Sequence, residues 1–196
     1  MFNKELIGLA SLAIALVSYL PYIRSIFVAK TRPHAFSWLV WGTVSMIAFV
    51  AQISEKAGAG SWVTGFSATM CLGVGVLAIF RGEKQIARSD WISFLLTLSA
   101  IPLWIATKDP LWSVLLVTGI DAAAYYPTFR KSYAKPDEEL ALRYVLTAVK
   151  HFLSLAALEN YTLVTAVYPF VSFFMEVAVA VFLMERRFAL SKKSRA

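Results

Sequence analysis

Ser18-Tyr19-Leu20-Pro21-Tyr22-Ile23-Arg24 and, 106 residues later, Ala124-Tyr125-Tyr126-Pro127-Thr128-Phe129-Arg130 carry the same punctuation. Each has a tyrosine two residues before a proline and an arginine three after it. Both stretches close an apolar run. A proline removes one helical N–H donor and its ring clashes with the preceding turn, so a helix is expected to bend or unwind at each. The same interruption at matching places in two halves of an apolar chain is the sequence mark of a solute path between structural repeats. Pro21 and Pro127 are therefore the expected hinges.

The composition makes lipid the expected solvent. Of 196 residues, 59% are hydrophobic and 16% charged, with a mean hydropathy of +0.65. A soluble domain carries roughly 25% charged residues. The net charge of +7 does not point to nucleic acid, because the basic residues lie in loops and at the C-terminus and no basic face with interleaved aromatics occurs.

Seven apolar spans can be drawn, roughly 6–23, 35–53, 61–80, 91–107, 111–129, 140–158 and 161–184. Each approaches the ~20 residues that cross a hydrocarbon core as a helix. The first is expected to be a retained helix and not a cleaved leader, since Tyr19, Leu20, Pro21 and Tyr22 offer no small-residue cleavage site. Fourteen of the nineteen Lys and Arg residues fall on one side of this topology: Arg24, Lys30 and Arg32; Arg81, Lys84 and Arg88; Arg130, Lys131 and Lys135; and five in the tail from Arg186 to Arg195. Lys4, Lys56 and Lys108 fall on the other. The positive-inside rule then places the N-terminus outside and the C-terminus in the cytoplasm. Spans 1–3 and 5–7 share order, loop lengths and orientation, and span 4 joins them. The expected units are a first repeat at 1–83, a linker helix at 84–108, a second repeat at 109–185 and a basic tail at 186–196.

Three ionisable side chains fall deep within spans: Asp121, Lys150 with His151 beside it, and Glu176. A charge at the bilayer centre costs on the order of 3 kcal/mol or more, so these groups should face a partner or a water-filled space. Helical spacing gathers Thr118, Asp121, Tyr125 and Thr128 on one stripe, Arg143, Thr147, His151 and Ser154 on a second, and Thr165, Tyr168, Ser172 and Glu176 on a third. The first half supplies Trp38, Trp41, Ser45, Ala48 and Gln52. Lys150 is expected to pair with Asp121 or Glu176. Two readings of that group stand side by side: proton exchange on Asp121 or Glu176 with His151 taking part, or a fixed ion pair that holds the second bundle together.

No metal or cofactor is expected. Cys71 is the single cysteine, which excludes an intrachain disulfide, and no His or Cys set stands at ligand spacing. No nucleophile–base pair marks an enzyme. Gly73 and Gly75 are expected to let helices approach closely.

The 3+1+3 order, an external N-terminus, and the pairs Pro21-Tyr22 and Pro127-Thr128 late in spans 1 and 5 resemble the PQ-loop and SWEET superfamily of membrane transporters. Tyr22 and Thr128 stand where the glutamine of the eponymous pair would be. The stretch Lys30-Thr31-Arg32-Pro33-His34-Ala35-Phe36-Ser37-Trp38-Leu39-Val40-Trp41 also looks like a group of bacterial membrane proteins. The resemblance implies an all-α membrane protein of seven transmembrane helices, built as two parallel three-helix bundles, in the inner membrane of a bacterium. A small polar or charged solute (a sugar, amino acid, organic acid or vitamin) would move by alternating access, coupled or not to protons. Trp41, Ser45, Gln52, Asp121, Tyr125, Lys150, His151 and Glu176 are the candidate solute-binding residues. A receptor or scaffold of the same fold that does not transport is the alternative. The expected partners are the lipid bilayer and the solute, with a homo-oligomer allowed but not required.

Overall fold

The computed structural model describes residues 3–28, 33–82, 88–125, 128–129, 132–133, 136–138 and 141–193. Pro127, Tyr126, Arg130 and several loop cations (Lys30, Arg32, Lys84, Lys131, Lys135, Arg195) lie outside the described residues. All regular structure among the described residues is helical. The helices are α1 (Lys4–Phe27), α2 (Ala35–Ser54), α3 (Trp62–Arg81), α4 (Arg88–Leu98), α5 (Ala100–Thr107), α6 (Pro110–Ala123), α7 (Ala141–Ala156) and α8 (Leu163–Lys193).

Local chemistry sets several of these boundaries. Asn3 caps α1 by accepting from the amides of Glu5 and Leu6. His34 Nδ1 caps α2 by accepting from Ser37 N. Asp109 accepts from Leu111 N at 2.9 Å, and Pro110 takes the first helical position, where a missing N–H costs nothing. The expected fourth span is broken in two at Ser99. Pro102 is the cause, since it cannot donate to the carbonyl of Leu98. By contrast, α1 continues through Pro21 to Phe27. In the second half, α6 ends at Ala123, before Pro127 is reached.

Four helical stretches are long and apolar enough to cross a membrane: Lys4–Phe27, Ala35–Ser54, Gly58–Arg81 and Leu163–Ser191. Phe94–Thr107 and Pro110–Ala123 are apolar but shorter. The expected sixth span is α7, with 16 residues, about 24 Å at 1.5 Å per residue, and strongly two-faced, with Arg143 and Lys150 in its length. The last helix runs past the expected end of the seventh span and takes in Arg186 and Arg187.

Helix adjacency has an internal symmetry. In the first half α3 packs against both α1 and α2; in the second α8 packs against both α6 and α7. Between the halves, α1 packs on α7 and α2 on α6, with lesser contacts of α2 to α8 and α3 to α7. Exchanging the two triplets leaves this pattern unchanged. α4 and α5 lie against α6, with α4 also on α2. The close α2–α3 approach runs through Gly42 and Gly75: a Cβ on Gly42 would lie 2.9 Å from Leu72 N, and one on Gly75 would meet the Leu39 side chain at 2.8 Å. Gly73, expected to share that role, faces open space.

The outer faces are apolar, and the interior holds polar side chains among its apolar clusters. Leu6, Val17, Phe80, Ile105, Phe170 and Phe174 are exposed, whereas Ser11, Ser45, Gln52, Thr64, Ser67, Lys150, Ser154 and Thr165 are buried. Apolar outside and polar inside is compatible with an integral membrane protein, whose outer faces meet acyl chains.

The two triplets are stitched at one end, where α1 begins, α2 and α7 finish and α8 starts. Glu159 N donates to Ala57 O at 3.0 Å, Ser154 Oγ to Gly60 O at 2.7 Å, and Asn160 Nδ2 to Glu55 O at 2.9 Å. Ser11 Oγ donates to Lys150 O at 2.8 Å, and Lys4 Nζ donates to Leu158 O. One further tie repairs a defect. Pro169 lies inside α8 and cannot donate to Thr165 O; Gln52 Nε2, from the other triplet, does so at 2.9 Å. A buried carbonyl left without a donor costs about 1–3 kcal/mol. Gln52→Leu is therefore expected to lower Tm in detergent, at about 2–4 °C per kcal/mol for a chain of this size. An unchanged Tm would show that the Pro169 break needs no partner.

Candidate functional site

The two triplets enclose a cavity of about 660 Å³, within the ~300–1,000 Å³ range of sites that hold one small molecule. α1 contributes Ser18, Tyr19, Pro21 and Tyr22; α2 gives Trp38, Trp41 and Ser45; α3 gives Thr64, Ser67 and Cys71. From the second triplet come Asp121 on α6, Tyr125 and Thr128 just beyond it, Arg143, Thr147, Lys150 and His151 on α7, and Tyr168, Ser172 and Glu176 on α8. Within each helix these residues recur at three- and four-residue steps, which places them on one face.

Exposure is graded along the cavity. Ser45, Thr64, Ser67, Lys150, His151 and Tyr168 are buried at its inner end. Pro21, Leu142 and Arg143 are exposed at the other. The mouth thus lies opposite the stitched end, on the side of Arg24 and Arg143.

Two unlike walls face each other. The first triplet presents aromatic rings: Tyr22 and Trp38 have centroids 4.9 Å apart, Trp38 and Trp41 meet edge-to-face at 5.5 Å, and Tyr19 stands 6.4 Å from Trp38. Trp38 Nε1 donates to Tyr22 Oη at 3.2 Å, and Tyr19 Oη lies 3.2 Å from Cys71 Sγ. The second triplet presents charge: Asp121, Arg143, Lys150 and Glu176. Tyr125 Oη donates to Glu176 Oε1 at 2.8 Å, while Glu176 Oε2 and His151 Nδ1 are buried without a hydrogen-bond partner among the described residues. Ser45 Oγ and Tyr168 Oη, 3.0 Å apart, join the walls at depth, and the His151 ring stands edge-on to Tyr168 at 6.2 Å.

The expected pairing of Lys150 with an acid is not formed. Lys150 Nζ donates to Ser67 Oγ at 3.3 Å, across the two triplets, and among the described residues no ion pair within 4.0 Å joins it to Asp121 or Glu176. α8 packs between α6 and α7 and so separates Asp121 from Lys150, while Glu176, on α8 itself, accepts from Tyr125 Oη. A fixed buried ion pair holding the second bundle together is thus not what the three groups make. All of them open onto the cavity instead; Asp121 keeps part of its surface free within it.

Of the eight candidate binding residues, Trp41, Ser45, Asp121, Tyr125, Lys150, His151 and Glu176 line this cavity. Gln52 does not; it is fully buried one level beyond, holding Thr165 O. Pro21 lines the mouth, and Pro127 is outside the described residues. In the sequence Tyr19 and Tyr22 stand out only beside the hinge proline, and the α3 stripe barely stands out at all. Thr64, Ser67 and Cys71 stand at i, i+3 and i+7, and that weak polar periodicity was the available signal. Arg143, Thr147, Tyr168 and Ser172 were visible as members of polar stripes.

No family model, curated protein or solved structure matches this chain.

An ammonium group buried with one neutral hydroxyl partner carries a desolvation penalty on the order of several kcal/mol that no contacting counter-charge among the described residues offsets. Lys150→Met is accordingly expected to raise Tm by several degrees, at about 2–4 °C per kcal/mol. A lower Tm would mean that Lys150 is a structural tie and not a functional group.

Proposed function

We propose that this chain is a small membrane transporter that moves a polar or charged solute by alternating access. The observation that carries this reading is the cavity itself: ionisable groups at mid-depth, stitched shut at one end and open at the other, between two triplets of helices with the same packing order. In this reading seven spans form two parallel repeats, 1–83 and 109–185, joined by a linker helix at 84–108. The N-terminus lies outside and the C-terminus in the cytoplasm, in a bacterial inner membrane. The mouth then faces the cytoplasm. The likeness to PQ-loop and SWEET transporters enters here as a proposal of the same kind.

Alternating access asks for a latch that can part without breaking helices. The stitched end meets that need, because its ties are individual hydrogen bonds between loop and helix termini, each worth about 0.5–1.5 kcal/mol net. Pro21, at the mouth, leaves the carbonyl of Val17 without its helical donor and so gives α1 a place to bend. Glu176 would exchange the proton, a role supported by its one carboxylate oxygen that carries no hydrogen-bond partner among the described residues. A receptor of the same fold would keep the cavity open on one side only.

Sidedness separates these readings without knowledge of the solute. Thr147 lines the cavity and Ser154 lies two turns further along α7, in the latch. With Cys71→Ser as background, Thr147→Cys in proteoliposomes should react with an impermeant thiol reagent from the cytoplasmic face. Ser154→Cys should react slowly, and from the external face. No reaction of Ser154→Cys from that face, under any condition in which the protein remains folded, would favour the receptor.

A further inference from the structure

Resting on the transporter reading of this cavity, we infer that its solute is an aromatic zwitterion: a small molecule with a planar ring, one carboxylate and one ammonium group, as in an aromatic amino acid.

The inference comes from the opposition of the two walls. Trp38 is committed, with its N–H on Tyr22 and its edge against Trp41. Trp41 makes no hydrogen bond among the described residues and is only partly buried, on the cavity side. A ring entering between Trp41 and Tyr22 would find aromatic surface, and such ring pairs contribute beyond the area they bury.

The opposite wall fixes the charge. Two cations, Arg143 and Lys150, and two acids, Asp121 and Glu176, give the cavity no net formal charge. Lys150 and Glu176 are both buried and share the cavity, yet no ion pair within 4.0 Å joins them among the described residues. Lys150 has donors to spare beyond Ser67, and Glu176 Oε2 has no donor among the described residues. A solute that displaces water from this space must satisfy both groups or leave a charge buried and unpaired. A neutral sugar satisfies neither as a charge. An amine alone satisfies Glu176 and strands Lys150; a carboxylate alone does the reverse. A zwitterion answers both, its carboxylate on Lys150 and its ammonium on Glu176, with its ring toward Trp41.

Calorimetric titration of the purified full-length protein with L-phenylalanine, phenethylamine, phenylacetate, L-alanine and D-glucose tests this directly. L-phenylalanine should bind at least about tenfold more tightly than each of the others, since tenfold corresponds to only about 1.4 kcal/mol. Lys150→Met should weaken phenylalanine about tenfold or more and leave phenethylamine unchanged; Glu176→Gln should weaken phenylalanine and phenethylamine and leave phenylacetate unchanged. Equal or tighter binding of alanine or glucose overturns the assignment. So does equal binding of the singly charged analogues, or no binding of phenylalanine. The wild-type series stands even if a variant fails to fold. The sidedness measurement on Thr147→Cys and Ser154→Cys uses no solute, so a transporter with another substrate and a receptor for an aromatic zwitterion give different pairs of results.

Discussion

Burying Lys150 and Glu176, with Asp121 half-buried beside them, inside a bundle whose outer faces are apolar is the constraint to which the rest of this structure answers. Each charge, taken alone, would cost several kcal/mol in a dry interior. Direct pairing would be the simplest remedy, and it is not made: Lys150 reaches Ser67 on α3, and Glu176 accepts from Tyr125 instead. The remaining remedy is space. The cavity of about 660 Å³ is the space these groups share, while the outer helix faces stay apolar.

Keeping that space open on one side requires that the other side be held, and small polar residues do this work. Ser11, Ser154, Asn160 and Gln52 each donate to a backbone carbonyl of the opposite triplet. These bonds cross the interface where the cavity ends, so the stiffness of the closed end and the accessibility of the charges belong to one arrangement. Gln52 shows how closely the two are joined. A proline in α8 frees a carbonyl, and a glutamine from α2 occupies it, so the defect in one triplet becomes an attachment point for the other.

The all-helical class and the apolar spans were legible in the sequence because lipid demands long, continuous, unambiguous runs. The three polar stripes were legible too, since 3.6-residue periodicity survives in a single sequence: Asp121 with Tyr125, Thr147 with His151, and Tyr168 with Ser172 and Glu176 do face one space. What the sequence withheld was pairing across helices. Lys150 next to acids in depth suggested an ion pair, but depth says nothing about azimuth, and azimuth decided for Ser67. Gln52 lay on the same stripe as Trp41 and Ser45 and was assigned to the solute with them; only the position of Thr165 O shows its actual partner. The aromatic wall was half seen, because Tyr19 and Tyr22 were read for the proline between them. Gly42 was missed and Gly73 wrongly given a packing role, since the helix face of a lone glycine depends on neighbours that only the fold supplies.

The central claim is that the stitched end and the mouth open in turn. Pulsed electron-spin distance measurements in a Cys71→Ser background test it most directly, with one label pair at Lys56 and Tyr161 across the stitched end and another at Leu20 and Leu142 across the mouth. Two populations are expected at each end, with proportions that shift in opposite directions as pH or lipid composition is varied. A single distribution at both ends, unmoved by either variable, would contradict the account.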